Sequence, residues 1–249
     1  MPRANRYILP GYLYHLTHRC HNRSFLLRFA VDRNAYRRRL RIVTHRFRVS
    51  LLNYAITSNH THLLATASHP ACISRFMQSL EGQFAVYYNG RMSRSSAFWG
   101  ERFHCTMIES GGHLWNCMKY IDLNMVRAGV VGHPAQWPWC GYHELVGNRR
   151  RYRLLDLRRV LELFPGLDSG SFAHTYDAAI TQTIADHQLS SNAIWTRSIA
   201  VGSESFVQTI AQAIRIRKKL RIAVSPDGNW HVAEEVGYYG LDHRVEEQE

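Results

Sequence analysis

The order of strand and helix patterns in the first half of the chain restricts its fold more than any other feature. Residues that alternate between apolar and polar predict strands, and apolar residues at helical spacing predict amphipathic helices. In chain order, the predicted elements are Gly11–Arg19, Asp32–Phe47, Ser50–Ile56, His60–Thr66, Cys72–Tyr88, Phe103–Ile108 and His113–Asn124. This β-α-β-β-α-β-α order is typical of a split βαβ, ferredoxin-like antiparallel sheet, which is an α+β fold. We expect helices mainly on one sheet face, with the other face open for a ligand.

A second region follows this pattern, and we place its start close to Gly147. The chain of 249 residues is long enough for a first domain, residues 1–147, and a smaller second region, residues 148–249. Helical patterns at Leu157–Phe164 and Phe206–Ile216 predict that the second region is a basic, mainly helical appendage. Its last residues form an acidic tail with Glu246, Glu247 and Glu249.

The charge of the chain favours an anionic partner. It has 31 lysines and arginines against 19 aspartates and glutamates, a formal net charge of +12. Nucleic acid suits this excess, although an anionic membrane surface or simple solubility explains it as well. The five cysteines form no CxxC pair and no zinc-like spacing, and no segment has the ~18 consecutive apolar residues of a membrane span. We therefore expect a soluble cytoplasmic protein with reduced thiols.

Two histidines, His60 and His62, lie two positions apart on a predicted strand. Because side chains alternate along a strand, both imidazoles point to one face and are able to share a divalent ion. The pattern alone is weak evidence, since 15 histidines in 249 residues produce about one His-X-His pair by chance. Two unliganded histidines are therefore the alternative interpretation.

Tyr120 and Asn124 lie four residues apart on the last predicted helix of the first domain. Helical spacing projects the phenol and the amide from the same side. Each residue alone has an ordinary interpretation, as a packed aromatic side chain and as a helix cap. Together, the amide oxygen is able to complete a metal site while the phenol attacks phosphorus.

Three motifs resemble the single-tyrosine HUH transposases, particularly the REP-associated tyrosine transposases. Tyr54–Leu64, YAITSNHTHLL, is similar to the histidine strand of that family, and Phe98–Phe103, FWGERF, resembles its connecting segment. Tyr120–Gly129, YIDLNMVRAG, is similar to its tyrosine helix. The resemblance spans most of residues 1–146 and identifies residues 1–147 as an HUH catalytic domain.

The resemblance implies roles for four residues. Tyr120 is expected to be the nucleophile, and His60, His62 and Asn124 are expected to bind Mg²⁺ or Mn²⁺. The implied activity is endonuclease and strand transfer on single-stranded, REP-like hairpin DNA through a 5′-phosphotyrosine intermediate. Because the covalent link conserves a phosphoester, no nucleotide cofactor is required. The expected protein is a monomer or homodimer associated with the nucleoid, with no membrane partner.

Arginines of several segments are the predicted contacts to the DNA backbone, because positive side chains neutralise phosphates and make binding salt dependent. These arginines are Arg3, Arg6, Arg37, Arg38, Arg41, Arg127, Arg149, Arg150 and Arg151.

Three other functions are compatible with parts of the sequence. A domesticated, non-cleaving protein that binds DNA hairpins explains the charge. A metal-dependent phosphoesterase requires the histidines but has no need of Tyr120. A membrane-surface protein is the weakest alternative, because the basic residues are spread over predicted folded elements without a broad apolar face. The full set of histidines, tyrosine and asparagine favours catalysis, since a binding module has no chemical need for all four.

Overall fold

Within the part of the chain that the structure describes, seven strands form one sheet. The computed structural model describes residues 7–189, 192–214 and 219–235. The strands are β1 (Leu13–Arg19), β2 (Val49–Ile56), β3 (His60–Ala67), β4 (His104–Ile108), β5 (Ala200–Gly202), β6 (Leu220–Val224) and β7 (Trp230–Glu234). Their order across the sheet is β2-β3-β1-β4-β5-β7-β6. Within these ranges, neighbouring strands are antiparallel except β4 and β5, which run parallel.

The first four strands confirm the predicted ferredoxin-like, α+β arrangement. They lie in the order β2-β3-β1-β4 with antiparallel pairing, which is the order of a split βαβ unit. The register between β1 and β3 places Thr17 opposite His62. Since side chains alternate along strands, His15 and Thr17 of β1 share a face with His60 and His62 of β3. We call this side of the sheet the histidine face.

Helices cover parts of both faces of the sheet. They are α1 (Ala30–Phe47), α2 (Pro70–Arg91), α3 (Gly112–Asp122), α4 (Asn124–Arg127), α5 (Tyr142–Leu145), α6 (Leu157–Glu162), α7 (Ser169–Ala185), α8 (Ile194–Arg197) and α9 (Glu204–Ala213). Helices α1 and α2 pack together on one side, where Tyr36 of α1 hydrogen-bonds Thr61 of β3. Helices α3 and α8 instead contact His15 of the histidine face. The expectation of an open face is thereby corrected, because these helices narrow that face to a cleft.

Helix α3 is tied to the sheet by a buried carboxyl group. Asp122 accepts hydrogen bonds from the Asn53 side chain of β2 at 3.0 Å and from the Tyr176 hydroxyl of α7 at 2.7 Å. The backbone N–H of Tyr142 donates to it at 3.1 Å. Burial raises the pKa of Asp122 to about 7. With three donors directed at one side chain, the end of α3 that carries Tyr120 has a fixed position on the sheet.

The C-terminal region extends the sheet, a feature that the sequence patterns did not predict. Strand β5 pairs with the edge of β4 in parallel, with Met107 opposite Ala200 and Ile108 opposite Val201. The helices predicted in this region are present as α6 and α9. The acidic tail lies outside the described residues, and the division close to Gly147 stays a prediction. None of the helices in the described ranges combines the length and apolar character needed to cross a bilayer.

Candidate active site

A cleft of about 910 Å³ lies on the histidine face, between the strands on one side and helices α3, α4 and α8 on the other. Residues of β1 and β3 line the cleft on the histidine face, and Thr196 and Arg197 of α8 line its opposite side. The lining includes the four residues selected from the sequence, namely His60, His62, Tyr120 and Asn124. The fold therefore brings together residues from two distant segments of the chain.

His60 and His62 lie side by side on β3, with their ring centroids 4.8 Å apart. His62 is buried and His60 is half-buried. Burial lowers the pKa of His60 to about 4, and the charges of Arg19 and Arg127 act in the same direction. Burial also lowers the pKa of His62 well below its usual range. Both imidazoles are therefore neutral at physiological pH, which is the form that binds metal ions.

Each of these histidines has a hydrogen-bonding partner at Nδ1, which leaves Nε2 for another contact. His60 Nδ1 lies 2.6 Å from Asn59 Oδ1, so its N–H donates to the amide oxygen. His62 Nδ1 lies 2.9 Å from Nε2 of His15. On the other side of its ring, His62 Nε2 lies 3.0 Å from Nδ2 of Asn124, which also hydrogen-bonds His60. The two imidazoles thus converge on one amide.

The set of His60, His62 and Asn124 fits a divalent ion. In the described ranges no three His, Cys, Asp or Glu side chains cluster as a metal site, so a site at this position depends on the amide. Rotating the Asn124 amide by half a turn exchanges its nitrogen and oxygen at the same reach, which directs the oxygen toward His62. Two imidazole nitrogens and an amide oxygen suit Mn²⁺ and, together with phosphate oxygens, Mg²⁺.

Tyr120 lies beside this set, near the end of α3, and Asn124 begins α4 four residues later, so the predicted helix His113–Asn124 is divided at Leu123. The Tyr120 ring centroid is 5.9 Å from that of His62, and the Tyr120 hydroxyl hydrogen-bonds Thr196. Arg127 places its guanidinium carbon 4.1 Å from the Tyr120 ring centroid and donates to the Tyr120 carbonyl oxygen at 2.6 Å. Burial raises the pKa of Tyr120, whereas the charge of Arg127 lowers it. The arginine therefore favours the phenolate, the form in which a tyrosine oxygen attacks phosphorus.

The cleft is strongly positive. Among its described lining residues, Glu101 is the single carboxylate. Five arginines accompany it, namely Arg19, Arg23, Arg102, Arg127 and Arg197. Positive charge concentrated in a cleft raises the local concentration of anions and speeds their association. The cleft is therefore suited to a polyanion such as a nucleic-acid strand.

The arginines predicted to bind DNA occupy different environments, and Arg127 is the one among those described that lines the cleft. Arg37 and Arg149 lie 3.2 and 3.9 Å from the buried carboxylate of Glu144. Exposed positions outside the cleft belong to Arg38, Arg41, Arg150 and Arg151. Arg3 and Arg6 lie outside the described residues. DNA contact by the arginines other than Arg127 stays a prediction without a supporting position in the cleft.

Sequence patterns missed two arginines that line the cleft, Arg19 and Arg197, and the buried His15, which lies behind His62. A signal for His15 existed, because the alternation of β1 places it on the same face as Thr17 and Arg19. The contact of His15 with His62, however, depends on the pairing of β1 with β3, which the alternation of β1 alone does not indicate. Arg197 lies on the four-residue helix α8, which is too short for helical periodicity to indicate.

Comparison with known proteins gives a matching family model and several matching solved structures. The family model of IS200-like transposases matches residues 9–124. A solved structure of a REP-associated tyrosine transposase bound to a REP hairpin superposes with a TM-score of 0.51 and 19% identity, covering 68% of this chain and 93% of its own. A candidate transposase from Deinococcus radiodurans R1 superposes with a TM-score of 0.35 and 15% identity, covering 52% of this chain and 98% of its own. No curated protein matches the sequence. The first structure shows a shared fold.

Proposed function

We propose that the chain, whose residues 9–124 match the family model of IS200-like transposases, is a metal-dependent endonuclease and strand transferase of single-stranded DNA. In this proposal Tyr120 is the nucleophile, and His60, His62 and Asn124 hold Mg²⁺ or Mn²⁺. The observation that supports it best is the convergence of two imidazoles, an amide and a phenol in one positively charged cleft. Structural residues alone have no need of such a convergence.

Arginines of the cleft would bind the DNA backbone. A phosphate at Tyr120 would meet Arg127, which stacks on the tyrosine ring, and Arg19 and Arg197 lie in the same cleft. An in-line attack requires the reacting phosphate to approach the tyrosine oxygen closely and in the right orientation. A single strand is flexible enough to adopt that geometry within a cleft, so duplex DNA is expected to be a poor substrate.

In the proposed reaction, Tyr120 loses its phenolic proton to water in the cleft, and its oxygen forms a bond to phosphorus while the bond from phosphorus to the 3′ oxygen breaks. The phosphate stays on the 5′ end of the strand through the tyrosine, and the 3′ oxygen leaves and takes up a proton. A divalent ion held by His60, His62 and Asn124 would offset charge on the phosphate oxygens. Arg127 holds the tyrosine in place through its carbonyl contact. Attack by a 3′ hydroxyl of another strand reverses the step without ATP.

A hairpin substrate is the finer part of the proposal. The REP-associated tyrosine transposase that shares this fold was solved in complex with a REP hairpin. A hairpin joins a compact, highly charged stem to an exposed single strand. The stem offers phosphates to basic side chains, while the strand enters the cleft.

A covalent-trapping experiment tests the function. Three labelled DNAs are incubated with the protein across a salt series in Mg²⁺ or Mn²⁺: a hairpin with its flank, the same strand with a scrambled stem, and the complementary duplex. Denaturing gels are expected to show a covalent product chiefly with the hairpin, and chelation is expected to abolish it. Equal cleavage of all three DNAs would indicate a general metallonuclease instead. Hairpin binding without cleavage would indicate a domesticated, non-cleaving binding protein.

A further inference from the structure

A chain of three polar contacts leads from the C-terminal region to the proposed metal ligands. His15 Nδ1 lies 2.8 Å from the carbonyl oxygen of Trp195, in α8. His15 Nε2 lies 2.9 Å from Nδ1 of His62. Nε2 of His62 then lies 3.0 Å from Nδ2 of Asn124. His15 is 0% exposed, so water does not compete for its two nitrogens.

The Trp195 carbonyl oxygen determines the direction of each hydrogen bond in this series of contacts. A carbonyl oxygen only accepts, so the N–H of His15 is at Nδ1. A neutral imidazole carries one N–H, and His15 Nε2 is therefore an acceptor. His62 must donate to it from Nδ1. Its own single hydrogen is then used, and His62 Nε2 presents a lone pair toward Asn124.

The surroundings of His15 keep it neutral, as this sequence of donors requires. The Trp195 carbonyl is its one oxygen partner among the described contacts, and the Thr106 hydroxyl donates to the same carbonyl at 3.2 Å. The neighbouring charges that act on His15, including that of Arg127, are positive. His15 is completely buried, and an imidazolium buried without a carboxylate partner is costly, so this environment favours the neutral ring. A protonated His15 would reverse the relay and place hydrogen on the cleft side of His62.

We propose that His15 is a positioning residue, which fixes the tautomer and orientation of His62 so that its Nε2 is available to a divalent ion. The proposal rests on the proposed function, because it concerns one of the proposed metal ligands. Partners that orient a ligating histidine through its other nitrogen change metal affinity by about 10- to 100-fold. Since Trp195 supplies the terminal acceptor, the C-terminal region takes part in the site.

The tautomer is measured first, in the full-length protein without metal. Long-range ¹H–¹⁵N NMR spectra of histidine-labelled protein are expected to show hydrogen on Nδ1 of His62. In His15→Phe, an aromatic ring of similar size lacks the acceptor, and hydrogen is expected to move at least partly to Nε2. The matched control is His143→Phe, because His143 Nε2 contacts the Trp137 carbonyl at 3.1 Å outside the cleft. This control is expected to leave the His62 tautomer unchanged.

Binding of Mn²⁺, measured by calorimetric titration without DNA, is the second readout. We expect His15→Phe to weaken it by about 10- to 100-fold and His15→Gln to restore most of it, since the glutamine oxygen accepts from His62 Nδ1. Hydrogen on Nε2 of His62 in the metal-free wild type would overturn the proposal. So would unchanged tautomer and affinity in His15→Phe or, if that variant does not fold, a His15→Gln protein as weak as His62→Ala. A wild type with the expected tautomer but no Mn²⁺ binding supports the relay and contradicts the proposed function.

Discussion

Two buried polar clusters of this protein differ in how fully their hydrogen-bonding groups are used. In the first, the carboxylate of Glu144 is 1% exposed. Its Oε1 lies 3.2 Å from both Arg37 and the Tyr54 hydroxyl, while its Oε2 accepts from the backbone N–H of Leu154 and Leu155 at 2.7 and 2.9 Å. We call Glu144, Arg37, Tyr54 and Arg149 the Glu144 network. Each carboxylate oxygen in it has protein partners.

The second cluster leaves groups for an outside partner. We call His15, His60, His62, Tyr120 and Asn124 the histidine cluster. The imidazoles of His60 and His62 are held by hydrogen bonds at Nδ1, and their Nε2 atoms face the cleft. A buried group with internal partners fixes local structure, whereas converging groups with spare lone pairs mark a place where a ligand binds. The comparison predicts that the Glu144 network determines stability and the histidine cluster determines chemistry.

The largest expected difference is between two matched tyrosine variants. Tyr120→Phe removes the proposed nucleophilic oxygen, so we expect it to reduce covalent DNA product by about 10⁴-fold or more without lowering the melting temperature. Tyr54→Phe removes a hydroxyl bonded to Arg37, Arg149 and Glu144, so it is expected to lower stability and preserve product formation by folded protein. Denaturing gels and thermal melts measure the two effects. Unchanged product from Tyr120→Phe would exclude it as the nucleophile.

Removal of the carboxylate at the centre of the Glu144 network is expected to have the next largest effect. Glu144→Ala leaves Arg37 and two backbone donors without their acceptor. We expect a loss of about 3–5 kcal/mol in the free energy of unfolding, measured by urea denaturation. Asp186→Ala is the control, because Asp186 is exposed at the end of α7. A Glu144→Ala protein as stable as this control would contradict a structural role for the network.

Loss of one proposed metal ligand is expected to reduce the rate of cleavage by about 10²-fold. His60→Ala removes one of the two imidazoles that converge on the Asn124 amide and is expected to respond little to added Mn²⁺. His45→Ala is the matched control, since His45 is exposed on α1, and it should cleave as the wild type does. Fully chelated wild type should behave like His60→Ala. Cleavage at the usual rate after chelation would contradict the proposed metal site.

The smallest predicted effect concerns acid stability of the metal-free protein. Burial lowers the pKa of His15 to about 3, so below pH ~6.5 the unfolded chain binds a proton that the folded protein does not. The contribution of neutral His15 to the free energy of unfolding is fully present above that pH and is lost as the pH falls. His15→Gln should therefore lose stability less steeply, by about 1.4 kcal/mol per pH unit between pH ~5.5 and ~4. Urea denaturation at each pH measures both slopes. Equal slopes would show that His15 titrates normally in the folded protein.

Local periodicity predicted much of the fold and part of the histidine cluster. Alternation on β3 predicted that His60 and His62 share one face. Helical spacing predicted that the side chains of Tyr120 and Asn124 project to the same side. The two histidines lie within one strand, while Tyr120 and Asn124 lie on the consecutive helices α3 and α4, so a short sequence separation determines both relations. The order of the four ferredoxin-like strands followed from the succession of elements in the same way.

Relations between distant segments were not predictable from such patterns. The contact of His15 with Trp195 joins two residues that are 180 positions apart. Strand β5 has only three residues, which is too short for alternation to indicate a strand. Its parallel pairing with β4 depends on the packing of the whole sheet. The basic pattern of α1 suggested free cations, but Arg37 has the buried Glu144 as its partner. Net charge and spacing carry no information about such long-range pairing.

The central claim is that the histidine cluster performs chemistry through one tyrosine, and peptide mapping tests it most directly. Wild-type protein is incubated with hairpin DNA and Mn²⁺, the covalent product is digested with nuclease and protease, and the modified peptide is sequenced by mass spectrometry. We predict a 5′-linked phosphonucleotide on Tyr120, which lies 5.9 Å from the His62 ring, centroid to centroid. A nucleotide on Tyr54 or any other tyrosine, or cleavage that leaves no residue modified, would contradict the account.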